Sequence, residues 1–365
     1  MKCGVGDYTH ALAGALANQP DMQVAVLTSQ SGFGAGREAK FEVFPIMRRW
    51  ALTELTRVIG TIREWRPDCI HVQYPSLGYR TGWLPSFIPL IGAGMGTPVV
   101  QTWHEAYSRR YLPGMLLKAI VPGEVIVVRP EYRKCLIPVS QWLLRRKKFV
   151  FIKNASVFRR ADITEEEQEA LKRRFQKRGQ RLVVFLGFIF PEKGVDLLFE
   201  ICDPAANCIV IAGESKSTPS YDRVIHDLAN SERWVQKVTL TGFLPQDQAG
   251  ALLRVADAVV LPFRAGGGEW NTSIHGAVSQ GTFVLTTSTV RNGYDDKRNI
   301  YYAKVDDIEE MKRALAQYSG LRKHTQDTDD ADKKDWEQIA ADHRAVYLRR
   351  LSGKAVSPDH ASLAR

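Results

Sequence analysis

Residues 263–287 read FRAGGGEWNTSIHGAVSQGTFVLTT and crowd several chemical types into one short span. Three consecutive glycines, Gly266 to Gly268, are followed by an acid, Glu269, and then by Asn271, Thr272 and Ser273 where a helix should begin. Glycines let a backbone approach a ligand closely and present bare amides. Thr272 and Ser273 can cap the helix, whose N-terminus then carries unpaired N–H groups and partial positive charge. Such a helix start binds phosphate. An ordinary Ser-capped helix behind a flexible loop is the plainer alternative. A second stretch, GFIFPEKGVDLL at 187–198, ends a strand at Gly187, turns tightly and sets Lys193-Gly194 at a helix start. A lysine there aims its ammonium at a diphosphate; a solvated surface lysine is the other reading.

The elements that would position these groups alternate nearly to the end of the chain. Strand-like runs are MQVAVLTS (22–29), PDCIHVQY (67–74), TPVVQTWHE (97–105) and EVIVVRP (124–130) in the first half. RLVVFLGF (181–188), NCIVIAG (207–213), KVTLTGFLP (237–245), DAVVLPF (257–263) and GTFVLTT (281–287) follow in the second. Helices are expected over 53–65, 194–201 and 248–256. Val- and Ile-rich strands without clean alternation are those buried on both faces of parallel sheets. Strand–helix–strand repetition implies α/β layers, and in such folds ligands sit at the carboxyl ends of strands.

The pattern breaks over 153–180, which is polar, charged and poor in strand signals, so a domain junction is expected near its start. At 365 residues two domains suit the chain better than one core. The start, CGVGDYTHALAGALA, reads as a glycine loop opening a helix. No strand precedes it, so either a further segment upstream, the favoured reading, or another segment of the chain is expected to fill the gap. Residues 353–365 read as a frayed tail.

Composition narrows the class. No run approaches the roughly 18 apolar residues that span a membrane. No signal-peptide core opens the sequence. Five scattered cysteines, Cys3, Cys69, Cys135, Cys202 and Cys208, read as reduced thiols of a cytoplasmic protein and not as a zinc site. The formal charge of +10 favours anionic partners: nucleic acid, anionic lipid or phosphorylated small molecules.

The order of motifs resembles the retaining glycosyltransferases of family 4. The second half carries it in FLGFIFPEKGVDLL, IVIAGE, VTLTGFLPQDQAGALLRVADAVVLPF, the glycine loop and GTFVLTT. WEQIAADHRAVYLRRL (336–351) is similar to the family's closing helix, and CGVGDYTHALAGAL, RPDCIHVQYP, PVVQTWHE and IPVSQW match more loosely. The resemblance implies the GT-B fold, an α/β arrangement of two facing Rossmann-like domains with parallel sheets and a cleft between them. It implies an acceptor domain over 1–155, a nucleotide-sugar domain over 156–335, and a helix over 336–352 returning to the first. Lys193 matches the pyrophosphate lysine, and His104 the histidine of the opposing face. Gly187, Gly213, Gly242 and Phe243 would lie against the donor. Gly267, Gly268, Asn271, Thr272 and Ser273 would face its sugar and phosphates, Glu269 its hydroxyls. Gly4 and Gly6 would approach from the first domain. No cofactor and no metal are implied.

Two departures stand out. Phe188 occupies the place of a common arginine, and Gly276 the place of the second of two glutamates, which removes a phosphate charge and a ribose contact. For the acceptor side, the basic and apolar segment 109–123, the apolar 83–96 and the cluster RRKK (145–148) suit either an anionic membrane surface or buried helices beside a solvated charge run. A lipid-linked, glycan or small-molecule acceptor is expected. A non-catalytic nucleotide-sugar binder is the principal alternative, with an epimerase or phosphorylase behind it. Nucleic-acid binding lacks a recognisable module.

Overall fold

The computed structural model describes residues 4–30, 40–79, 82–105, 112–176, 179–215, 218–268, 270–323 and 328–352. The chain forms two compact units, Met1–Asn154 with Lys334–Arg365, and Ala155–Lys333.

In the first unit the chain runs α1 (Gly4–Leu16), β1 (Ala25–Ser29), β2 (Glu42–Met47), α2 (Leu55–Trp65), β3 (Ile70–Tyr74), α3 (Leu84–Gly94), β4 (Val99–Trp103), α4 (Leu112–Ile120), β5 (Glu124–Val127), α5 (Pro138–Leu143) and β6 (Lys148–Phe151). Strands β3, β4, β5 and β6 form one parallel sheet in that order, and β1 and β2 a separate parallel pair. All five residues of β4 are buried, the burial pattern that an apolar run without alternation implies. Helix α2 buries Val58 and Ile62, four apart on one face, and stops where Arg66 turns left-handed. The apolar stretch 83–96 becomes α3, which buries Leu84, Pro85, Ile88, Pro89 and Gly92. A Cβ on Gly92 would stand 2.3 Å from Val99 Cγ2, so α3 lies tight on β4. Much of its apolar content therefore serves the core. Strands β2 and β6 were not expected. Both lie at sheet edges with exposed positions; β2 is interrupted by Pro45, and the short apolar run of β6 directly follows the charged RRKK cluster.

One expectation fails at the start. No glycine loop precedes the first helix among the described residues, because Gly4 already belongs to α1 and Gly6 lies in its first turns, both exposed.

The second unit continues with α6 (Glu165–Phe175), β7 (Arg181–Leu186), α7 (Leu198–Ile201), β8 (Asn207–Ala212), α8 (Pro219–Asn230), β9 (Val238–Gly242), α9 (Gln246–Val255), β10 (Ala258–Leu261), α10 (Thr272–Ser279), β11 (Val284–Ser288), β12 (Gly293–Asp295), β13 (Ile300–Lys304) and α11 (Ile308–Tyr318). Thr164 and Glu167 cap α6 reciprocally. The sheet order is β12-β13-β11-β10-β7-β8-β9, parallel except for β12. Its inner strands β8, β10 and β11 are buried along their whole length. The chain winds outward from β7 to β8 and β9 on one side, then crosses to β10, β11 and β13 on the other. The direction reverses between β7 and β10, which is where doubly wound sheets open a ligand crevice at their carboxyl ends.

The last helix, α12 (Thr328–Ser352), belongs to the first unit from Lys334 onward. There it buries Ile339, Ala340, His343, Val346 and Tyr347. Arg349 reaches Glu124 on β5 at 3.0 Å, and Lys153 closes an ion pair with Asp335.

Candidate functional site

The reversal point between β7 and β10 gathers most of the residues that the sequence singles out in the second unit. After β7, Gly187 takes φ +149° and its amide donates to Ala212 O, the last residue of β8. Gly213 follows β8 so closely that a Cβ on it would stand 1.8 Å from Gly187 O. Any side chain at 213 would have to displace that carbonyl. A Cβ on Gly187 would lie 3.8 Å from Ser273 Oγ at the start of α10. Gly187, Gly213 and Ser273 therefore meet at one point. Gly242 ends β9 with φ +67° and open space around it, and Phe243 follows it half-buried.

Lys193 occupies a different local structure from the one expected. The anticipated helix over 194–201 is two 3-10 turns, Pro191–Lys193 and Val195–Leu197, with α7 beginning only at Leu198. The left-handed Gly194, at φ +65°, separates the turns. A Cβ there would stand 2.2 Å from Pro262 O, so the turn lies directly on the segment after β10. The Lys193 ammonium sits 4.5 Å above the centroid of the Phe263 ring. The ring's negative face attracts the cation and holds it at the loop's entry.

The glycine loop itself differs from its expected form. Gly267 and Gly268 are buried. The Gly267 amide donates to Thr287 O at 2.7 Å, and a Cβ on Gly267 would meet Thr286 Oγ1 at 2.5 Å and Phe263 at 2.7 Å. A Cβ on Gly268 would meet the Trp270 ring at 2.1 Å. These two glycines are small because their own protein neighbours require it, not only to approach a ligand. The cap also falls elsewhere. Asn271 is the N-cap, its Oδ1 accepting from the Ser273 amide at 3.1 Å, while Thr272 and Ser273 are the first helical residues. The Ser273 amide is thus engaged by the cap. Glu269 lies outside the described residues.

The two departures now have structural settings. Ile189 pairs with the 214–215 segment, its amide donating to Glu214 O, so 187–190 runs extended. Phe188 and Phe190 fall two apart on one side, half-buried, with ring centroids 6.3 Å apart. Gly276 faces inward on α10, where a Cβ would strike the Phe158 ring at 2.4 Å and Leu253 at 3.3 Å. Phe158 fills the room that a glutamate side chain would need.

In the first unit, His104 is 9% exposed and part of a buried polar cluster. Its Nε2 donates to Gln73 Oε1 at 2.8 Å, and the Tyr8 ring meets it edge-on at 4.7 Å. His71 presents its ring nitrogens to the Tyr347 hydroxyl at 2.7 Å and the Thr102 hydroxyl at 2.8 Å. His343 donates from Nδ1 to Ile339 O at 2.7 Å, leaving Nε2 toward Tyr8 Oη at 3.4 Å. Burial, with the neighbouring His343 charge second, pulls the His104 pKa down to about 3. Burial brings His343 to about 4 and sets His71 well below its usual value. At neutral pH all three imidazoles are uncharged, so His104 offers hydrogen bonds and no positive charge.

The family described as glycosyl transferase 4-like domain matches residues 3–163, and that described as glycosyl transferases group 1 matches residues 167–335. This chain is a GT-B glycosyltransferase of the family 4 type. Among solved structures, sucrose-phosphate synthase from Thermosynechococcus elongatus has a TM-score of 0.65 at 14% identity, covering 95% of this chain and 93% of its own. HepE from Anabaena, in complex with UDP-glucose, has a TM-score of 0.65 at 12% identity, covering 97% and 96%. A glycosyltransferase from Rickettsia africae has a TM-score of 0.64 at 11% identity, covering 95% of each chain. No curated protein matches the sequence.

Several residues of this candidate site escaped the sequence. Phe263, which seats Lys193, and Trp270, which covers Gly268, stand in the glycine stretch itself. An aromatic beside a run of glycines is the signal that could have found them. Phe158, far upstream of Gly276, left none. Among the described residues no group of three or more His, Cys, Asp or Glu is arranged to hold a metal ion. Asp-x-Asp spacing does occur at 327–329 and 330–332, leading into α12, where side chains lie outside the description. Cys69, Cys135, Cys202 and Cys208 form no disulfides. No described helix is long and apolar enough to cross a membrane.

Proposed function

We propose that this glycosyltransferase moves a sugar, with retention of anomeric configuration and without metal or cofactor, from a nucleotide-diphosphate sugar held at the β7–β10 reversal point. The observation that carries the reading is that the Gly187–Gly213 crossing meets the start of α10, while the Lys193 turn packs on Pro262 and Phe263 directly after β10. HepE, which shares the fold, binds UDP-glucose, and this supports a nucleotide sugar as donor.

Breaking the anomeric C–O bond leaves a nucleoside diphosphate bearing new negative charge beside an oxocarbenium-like sugar. Lys193 and the α10 N-terminus stabilise that charge electrostatically. The acceptor hydroxyl oxygen forms the new bond to the anomeric carbon, and its proton passes to the departing phosphate. Glu269 holds donor-sugar hydroxyls. His104, neutral, serves as a hydrogen-bonding partner. A non-catalytic nucleotide-sugar binder is the second reading, favoured by Phe158 closing the place of the missing glutamate.

The direct test is thermal unfolding of the full chain with UDP, GDP, ADP, CMP and dTDP in turn. Ligand at 100 times its Kd stabilises by about 2.7 kcal/mol, so one nucleotide should raise the Tm while the others do not. No rise with any of them would remove the donor reading. Hydrolysis of the matching nucleotide sugar, or transfer from it, then separates enzyme from binder.

The acceptor, a glycan, a lipid-linked sugar or a small molecule, is assigned to the first unit. There Trp142 and Val139 are exposed on α5, with Arg145 stacked on Trp142 at 4.5 Å and Arg146 exposed beside it. Lys147 and Lys148 are engaged elsewhere, with Val121 O and with Glu124. Exposed aromatic and cationic groups together suit an anionic lipid surface. At about 1 kcal/mol per cation, replacing Arg145 and Arg146 by Ala should weaken sedimentation with phosphatidylglycerol vesicles about 30-fold. Equal binding of both proteins would exclude this face.

A further inference from the structure

Arg264 lies one residue beyond Phe263, yet it turns back onto the Lys193 turn and not toward the glycines. Its amide donates to Glu192 O at 3.1 Å, and its Nε donates to Pro191 O at 3.2 Å. Its Nη2 pairs with Asp196 Oδ2 at 2.5 Å. The Tyr221 hydroxyl holds the other oxygen of Asp196 at 2.6 Å. One residue therefore grips both 3-10 turns, the first through two carbonyls and the second through a carboxylate fixed from α8. The left-handed Gly194 between those turns can lie against Pro262 O only because it has no side chain.

Neither turn has the hydrogen-bond ladder of a long helix to hold it. The first contains three residues, and so does the second. Arg264 supplies what the missing helix would have supplied, with a planar fork suited to several acceptors at once. Exposed ion pairs contribute little by themselves, so its importance lies in where the Lys193 ammonium ends up, not in global stability.

We propose that Arg264 is a positioning residue for the donor site, locking the Lys193 turn to the glycine loop so that the ammonium meets the diphosphate. The inference rests on the nucleotide-sugar reading given above. It assigns the residue a role through Lys193 alone, with no contact to the ligand.

That restriction is what the experiment reads. Calorimetric titration of the full chain with UDP, GDP, ADP and dTDP identifies the binding nucleoside diphosphate, which then serves as probe. Arg264→Ala should weaken that diphosphate about tenfold, and Arg264→Lys, which reaches Asp196 without the fork, should restore part of the loss. Arg264→Ala combined with Lys193→Ala should bind no worse than Lys193→Ala alone. Should Arg264→Ala fold poorly, Asp196→Asn loosens the same anchor and should show the same non-additivity.

An Arg264→Ala protein with wild-type affinity would overturn the inference while leaving the donor site intact. So would a double variant about tenfold weaker than Lys193→Ala, since Arg264 would then act independently of the lysine. A wild-type protein that binds none of the four diphosphates, or a Lys193→Ala protein that binds like wild type, would overturn the donor reading and this inference with it.

Discussion

Lys193→Ala should lower the rate of sugar transfer by about 10²–10³-fold while leaving the Tm of the free protein nearly unchanged. The physical reason is the position of the ammonium. It sits on the Phe263 ring at the entry of the glycine loop, 4.5 Å from the centroid. A donor fixed there before the reaction loses little by reorganising as charge grows on the leaving diphosphate. The cation–π contact it gives up when mutated is worth only about 0.5–1 kcal/mol at a half-exposed position, so the fold survives. The measurement is kcat and KM for the nucleotide sugar, together with the Kd of the free nucleoside diphosphate. A fall in kcat/KM larger than the fall in diphosphate affinity would mark stabilisation of the transition state. Equal falls would reduce Lys193 to a ground-state binding group. Unchanged kinetics would return it to the solvated lysine of the plainer reading.

Acid should unfold the first unit through its histidines. His71, His104 and His343 are held neutral by burial, with pKa values of about 3 for His104, about 4 for His343, and well below the usual value for His71. In the unfolded chain each titrates near about 6.5. Between those values the unfolded chain binds protons that the folded chain does not, so unfolding becomes more favourable as pH falls. Stability is full above about pH 7 and declines through the window from about 6.5 to 4. His104 and His343 each remove about 2 kcal/mol by pH 5, and His71 acts in the same direction, a loss that is a large part of the whole stability of many domains. Tyr8 and Tyr347, which face the same cluster from α1 and α12, stay protonated throughout, since burial raises both phenols. Urea unfolding followed at pH 7.5, 6 and 5 should therefore show a steadily falling midpoint. His343→Gln, which cannot titrate, should make that fall shallower. A midpoint independent of pH across this window would mean the imidazoles are not held neutral.

This cluster also explains how the chain returns to its beginning. Lys334–Ser352 packs His343 and Tyr347 against His71 on β3 and Tyr8 on α1. Burial of neutral imidazoles with hydroxyl and carbonyl partners makes that contact specific, and acid-sensitive for the same reason.

The sequence by itself determined the α/β class and the cores of the buried strands. β7, β8 and β10 are rich in Val, Leu and Ile because both their faces are covered, and that demand is legible one residue at a time. It also marked Gly187, Lys193 and the Asn271–Ser273 helix start as candidate chemistry-bearing points, since these follow strands whose ends can be read, while Gly213 came from the family resemblance. The edge strands β2, β6 and β12 were not legible, because a strand paired on one side or half exposed needs no long apolar run. Nor was the left-handed Gly194, where the room for a side chain is taken by Pro262, a residue 68 positions away. The same holds for the glycines of the loop, read as room for a ligand and found to be fixed by Phe263, Thr286 and Trp270. His104 could be marked but not charged or discharged, since its ionisation depends on three other elements packed around it. Only tertiary structure decided these points. Local sequence sets backbone preference and apolar period, whereas close approach, ring placement and desolvation arise between residues that the chain brings together only on folding.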